Sequence, residues 1–173
     1  WQELLYSFHL GIFWTCLLFS FLPERFYVQD YHDGTLELYY LSRFAPINLI
    51  LFSKMFGYWL LKISGILCSY LLLSLFYQFE LSLITCLTLI LGSFIFILVC
   101  SLHSCLTLGL QKTHGQNVLH FLTTLPTLLP LILLCNYIQT ESTHFLFLIG
   151  LAGLYLSILT AFGSHILKNI INQ

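Results

Sequence analysis

Charge is what this chain has least of. Of its 173 residues, six are Lys or Arg and seven are Asp or Glu, so charged residues make up 8% of the sequence, against about 25% in an ordinary soluble domain. A soluble globular domain is thereby excluded. The formal net charge of -1 excludes nucleic-acid binding by phosphate neutralisation as a main role. The six cysteines are scattered about one to a hydrophobic run. They form no C-x-x-C pair, which removes support for a zinc ribbon or a thioredoxin-like redox site. No basic stretch followed by a short apolar core and a cleavage site is seen, so no secretory signal peptide is expected. The chain opens on Trp1 rather than Met, and a trimmed, processed or unusually initiated start is expected. No repeat or low-complexity segment stands out.

What is abundant is apolar: 58% of the residues are hydrophobic, 17% are aromatic and the mean hydropathy is +0.90. Runs of about twenty apolar residues recur, without the strict alternation of an outer-membrane strand. The expected fold is therefore all-α, a polytopic membrane helix bundle forming a single domain over residues 1–173. Five spans are expected at about residues 4–22, 58–77, 83–103, 118–137 and 144–166, with a loop at 23–57. Pro46 suits the first turn of a helix. Residues 47–58, with Asn48, Lys54 and Gly57, read as an amphipathic approach helix into the second span. Lys62, near the start of that span, can carry its charge back to the interface on its long stem. Pro126 and Pro130 each remove a backbone donor from the fourth span and are expected to kink it. The excess of Phe, Leu and Ile over Lys and Arg is in keeping with an organelle-encoded membrane protein. A mitochondrial inner membrane is expected, with a bacterial inner membrane as the alternative.

The basic residues test this topology. Arg25, Arg43, Lys54 and Lys62 lie in or just after the first connection, Lys112 in the third, and Lys168 after the last span. The second and fourth connections carry only Glu80 and Glu141, and the first end only Glu3. All six cations thus fall on one side of a five-span bundle, which puts the N-terminus outside and the loop and C-terminus inside.

Within the loop lies a polar island, residues 24–46, ERFYVQDYHDGTLELYYLSRFAP, holding Glu24, Asp30, Asp33, Glu37, Arg25 and Arg43. Asp33 or Thr35 can accept from free N–H groups of a first helical turn. Gly34 permits a sharp entry, and Glu37 places negative charge near the positive helix end. Leu36, Tyr40 and Phe44 then share one face, with Leu41 nearby. A short interfacial helix on the inner membrane surface is predicted. Such a helix can simply float among headgroups. Its acidic ends and lack of a Lys/Arg-rich face make it a poor binder of anionic lipid and favour a protein partner.

The pattern Glu24-Arg25, then Asp30-x-x-Asp33-Gly34-Thr35-Leu36-Glu37, then Pro46 and Lys54, resembles the inner-side loop of ABC-2 type permeases. Within them it is most similar to the haem exporter protein B family of cytochrome c maturation permeases. The likeness extends to the Gly-containing first span (Gly11, Ile12, Phe13, Trp14), to Leu106-Thr107-Leu108-Gly109-Leu110 with Lys112, and to Leu125-Pro126 with Pro130-Leu131. It covers most of residues 10–135 and is weak over the last span. That family has an interfacial segment and one more span ahead of the position matching Leu4, so a missing start or a reduced protein is expected. The resemblance implies a non-catalytic permease subunit, with ATP hydrolysis in a separate ABC ATPase subunit whose groove receives the loop. It assigns that contact to Asp30, Asp33, Gly34, Thr35, Leu36 and Glu37. It further implies as partners a haem-handling membrane protein, a small single-span subunit and a haem chaperone, besides a homodimer and membrane lipid. No cofactor is expected to be stably bound; haem is the expected cargo.

Other constellations carry less. Cys100-x-x-His103-x-Cys105 has soft ligands at zinc-like spacing, yet Cys and His at the end of an apolar span also serve as packing residues. An axial haem pair needs two His at similar depth, and His9 with His144 is the outer-face candidate. Trp1, Trp14 and Trp59 are too far apart for a tryptophan-rich haem loop. Gly109-Leu110-Gln111-Lys112-Thr113 lacks the full phosphate-loop spacing. No Ser-His-Asp or paired-carboxylate set falls at one depth. Two other functions remain: a structural membrane subunit of a respiratory or other organellar complex, and a haem- or metal-binding redox enzyme.

Overall fold

The computed structural model describes residues 27–42, 46–77, 83–108, 116–138 and 144–171. Two short helices come first, α1 (Val28–His32) and α2 (Thr35–Ser42). Three long ones follow: α3 (Ile47–Tyr77), α4 (Leu83–Leu108) and α5 (Gln116–Ile138). The last rod is α6 (Phe145–Ile158), a π turn (Leu159–Gly163) and α7 (Ser164–Ile171). Four segments are long and apolar enough to cross a membrane: Ile47–Phe76, Leu83–Leu108, His120–Ile138 and Phe145–Asn169. They correspond to the second to fifth expected spans, and the helical membrane bundle is borne out. The first expected span, residues 4–22, lies outside the described residues, so the count within them is four rather than five.

The approach helix and the second span are one helix. No proline interrupts residues 47–77, and α3 runs for 31 residues, about 46 Å at 1.5 Å per residue. A hydrocarbon core is about 30 Å thick, so α3 extends beyond it. Pro46 stands just before the helix rather than in its first turn, its carbonyl accepting from the Leu49 N–H at 2.8 Å.

Helix α4 is the centre, packing against α3, α5, α6, the π turn and α7. Its buried side chains include Thr85, Thr88, Gly92, Ser93, Cys100, Ser101, Ser104 and Cys105. Small and hydroxyl residues let helix backbones approach closely where lipid supplies no hydrophobic drive between helices. Ser93 also accepts from the Trp59 indole N–H at 3.2 Å. Leu128, Leu131, Cys135 and Ile138 of α5 are buried in the same core. Outward, Leu61, Leu75, Phe76, Leu133 and Leu146 are exposed, as lipid-facing side chains are. Helix α5 stays helical through Pro126 and Pro130. Loss of their N–H groups leaves the Leu122 and Pro126 carbonyls without the usual donor.

The π turn lies against α4. A Cβ built on Gly163 would sit 3.3 Å from Leu159 Cδ1 within the turn itself and in ordinary contact, 3.8 Å, with Cys105 Sγ of α4. Thr160 of the turn also lines a groove of about 520 Å³ with Leu49, Phe52 and Phe56 of α3, and α7 packs on α3. The start of α3, carrying Lys54, and α7, carrying Lys168, therefore share one end of the bundle, as the charge pattern required. The Tyr137 and His144 rings meet at 5.1 Å at the other.

Candidate functional site

The polar island folds at the α3 end as two helices joined by a sharp corner. The Asp33 N–H donates to the Gln29 carbonyl at 2.9 Å and the Gly34 N–H to the Tyr31 carbonyl at 3.2 Å, closing α1. Gly34 has φ 70°, the left-handed region where a side chain is strained. Its carbonyl accepts from the Leu38 N–H at 3.2 Å, opening α2. The expected cap is thereby corrected. The Thr35 hydroxyl turns back to the Asp30 carbonyl at 3.0 Å, and Asp33 is the C-cap of α1. Both residues finish the first helix, because the glycine corner brings its last carbonyls within their reach.

Val28 and Tyr31 of α1 pack against the core, and further contacts hold this corner to the bundle. Leu36 is 3% exposed and Tyr40 packs against the same core. Leu36 and Tyr40 thus share one face, as their spacing predicts, and that face is turned onto the bundle; Phe44 lies outside the described residues. Asp30 forms an ion pair with Lys54 of α3, both side chains about a quarter exposed. Tyr27 is buried, its hydroxyl 2.7 Å from Ser101 Oγ of α4 and donating to the Leu51 carbonyl of α3 at 3.3 Å. Burial pushes the Tyr27 phenol far above its ordinary range, so it keeps its proton.

Of the six residues expected at the partner contact, the structure therefore turns two inward. Leu36 is core and Asp30 is paired with Lys54. Gly34 and Thr35 form the half-buried corner, while Asp33 and Glu37 stand exposed. Beside them Leu38, Tyr39 and Leu41 are 66%, 54% and 73% exposed; the sequence reading missed Leu38 and Tyr39, and Leu41, expected near the face of Leu36 and Tyr40, is turned outward instead. Helix α2 is apolar on two faces, one spent on the bundle and one turned outward between two carboxylates. The i, i+3 spacing of Leu38 and Leu41 carried that signal. Nothing in the sequence marked Tyr27 or Ser101 as partners.

The other constellations are not assembled. Among the described residues no three His, Cys, Asp or Glu side chains cluster as a metal site. Cys100, His103 and Cys105 lie on one helix, where about 100° per residue spreads them around the axis. Cys100 and Cys105 are buried, and His103 Nδ1 lies 2.8 Å from the Val99 carbonyl of its own helix. His9, the partner read for His144, and the Gly109–Thr113 stretch lie outside the described residues.

Comparison with known proteins bears on what such an element serves. Residues 2–146 match the family described as CcmB protein. Over 155 residues the chain is 54% identical to a cytochrome c biogenesis ccmB-like mitochondrial protein of Marchantia polymorpha, covering 90% of this chain and 55% of that protein. Over 157 residues it is 46% identical to the protein of the same description from Arabidopsis thaliana, covering 91% of this chain and 76% of that one. The chain thus spans little more than half the length of the first relative and about three quarters of the second. No solved structure matches it.

Proposed function

This chain belongs to the CcmB protein family, and on that premise we propose that it is the permease subunit of an ATP-driven complex for cytochrome c maturation in the mitochondrial inner membrane. In this reading the chain hydrolyses nothing. A separate ABC ATPase closes on nucleotide, grips α1 and α2 from the matrix side, and moves the spans so that haem is exported or released to a haem-handling membrane protein and a haem chaperone. The descriptions of the relatives support the process and the compartment.

The observation that carries the proposal is the outward face of α2. Leu38, Tyr39 and Leu41 are exposed beside the exposed carboxylates of Asp33 and Glu37, on a segment fastened to the bundle from behind. An apolar patch flanked by acid fits a groove with an apolar floor and a basic rim. Asp30 and Leu36 hold the element in position, and Asp33, Gly34, Thr35 and Glu37, with the three apolar residues, make the contact. Asp33→Lys with Glu37→Lys tests this. The double variant is expected to lower recovery of the ATPase with the tagged chain by about tenfold or more, the scale of opposed charges at an interface, while the chain still inserts. Undiminished recovery with normal cytochrome c maturation contradicts the coupling role. Recovery of respiratory subunits in place of an ATPase supports a structural membrane subunit instead.

A further inference from the structure

We infer that Tyr27 is the joint through which movement of the docking element reaches the transmembrane bundle, its hydroxyl bridging Ser101 of α4 and the Leu51 carbonyl of α3. The inference rests on the permease reading above and adds the positioning residues that reading lacks.

The Tyr27 hydroxyl has two partners. It lies 2.7 Å from the Ser101 hydroxyl, where either oxygen can donate, and 3.3 Å from the Leu51 carbonyl, which can only accept. At its other end Tyr27 belongs to the docking element. It is the N-cap residue of α1, and its carbonyl accepts from the Tyr31 N–H at 3.0 Å. The rigid ring between these ends acts as a strut: a tilt of α1 displaces the hydroxyl with it.

Where the strut lands matters. The Asp30–Lys54 pair and the core around Leu36 tie the element to α3, one of the peripheral rods. Ser101 is fully buried on α4, the helix that touches all the other long elements. One turn further along α4, Cys105 lies against Gly163 of the π turn. A push on α1 is thus delivered to the central helix beside the irregular turn of the last rod, and π turns recur at functional sites. Apolar contacts slide by fractions of an ångström and persist. A short hydrogen bond in a dry site is either made or broken, the discrete kind of contact that coupling between two arrangements requires.

The experiment uses the chain isolated with its ATP-hydrolysing partner and compares Tyr27→Phe, Ser101→Ala, the double variant and Ser101→Thr. Three quantities are read: partner retained, ATP hydrolysed, and holo-cytochrome c formed per ATP. Each deletion is expected to leave retention and hydrolysis within about twofold. Each should lower the yield per ATP by roughly three- to tenfold, the span a buried hydrogen bond is worth, with Tyr27→Phe, which loses both bonds, at the upper end. The double variant should be no worse than Tyr27→Phe alone, and Ser101→Thr, which keeps the hydroxyl, should restore the yield. A merely structural role would lower retention and hydrolysis together. Should Tyr27→Phe fail to accumulate, Ser101→Ala, one oxygen smaller, carries the comparison. An unchanged yield per ATP with the partner retained, or singles that multiply in the double variant, overturns the joint and leaves the permease reading standing. A wild-type chain that retains no ATP-hydrolysing subunit overturns that reading and the joint with it.

Discussion

Helix α4 buries an unbroken run from Ile95 to Ser101, whereas α2, eight residues long, buries Leu36 and turns Leu38, Tyr39 and Leu41 outward. The first is packed against the other long rods. The second is held from behind, by one leucine with Tyr40, one ion pair and the tyrosine ahead of α1. A helix surrounded by packed neighbours distributes any perturbation. A short element held on one side only, by these contacts and by Val28 and Tyr31 of α1, can be moved as a unit. The chain thus separates a stiff hub from a handle, and the Tyr27–Ser101 bond connects the two.

That contrast can be broken from either side. The largest effect on the bundle's unfolding midpoint is expected in the hub. Ser93→Leu adds volume to a fully buried site and deletes the acceptor of the Trp59 N–H. Overpacking and the lost bond together cost about 2–4 kcal/mol, read as a lower unfolding midpoint of the detergent-solubilised chain. A bundle that tolerates the change has no tightly packed hub. Next comes Leu36→Asp, which puts a carboxylate where the handle meets the core and costs about 3 kcal/mol or more locally. Proteolysis within residues 33–42 should accelerate by tenfold or more while the bundle's midpoint barely moves. If the midpoint falls with it, α2 is part of the hub and the separation fails. The smallest effect belongs to Asp30→Asn. The pair with Lys54 is partly solvated, so its loss is worth about 1 kcal/mol or less. It should show as a modest, salt-sensitive rise in the same proteolysis rate.

Much of this was legible in the residues. Scarce charge and long apolar runs announced a helical membrane protein, and the spacing of Leu36 and Tyr40 announced their shared face on α2. Of the six cations read as one-sided, Lys54 and Lys168 lie on elements that share one end, while Arg25, Arg43 and Lys112 lie outside the described residues. What escaped has physical reasons. The extent of α3 was hidden because Asn48, Lys54 and Gly57 look like a boundary. Yet none of them breaks a helix, and Lys54 is neutralised by Asp30. The corner was misread at Thr35 because a hydroxyl beside a left-handed glycine can serve the helix before it as well as the one after. The outward face was missed because Leu38, in so apolar a chain, does not stand out, and because Leu41 was grouped with Leu36 until burial separated them. The Tyr27–Ser101 bond joins residues 74 apart in the chain, and no local pattern reports such a pairing.

The most direct test places a photo-crosslinking side chain at Tyr39, on the outward face of the handle, and in a second chain at Leu61, exposed on the flank of α3. Both chains are irradiated in native membranes. The account predicts an adduct between the Tyr39 position and an ATP-hydrolysing subunit, and only lipid adducts from the Leu61 position. An ATPase adduct from Leu61 with none from Tyr39 would contradict it.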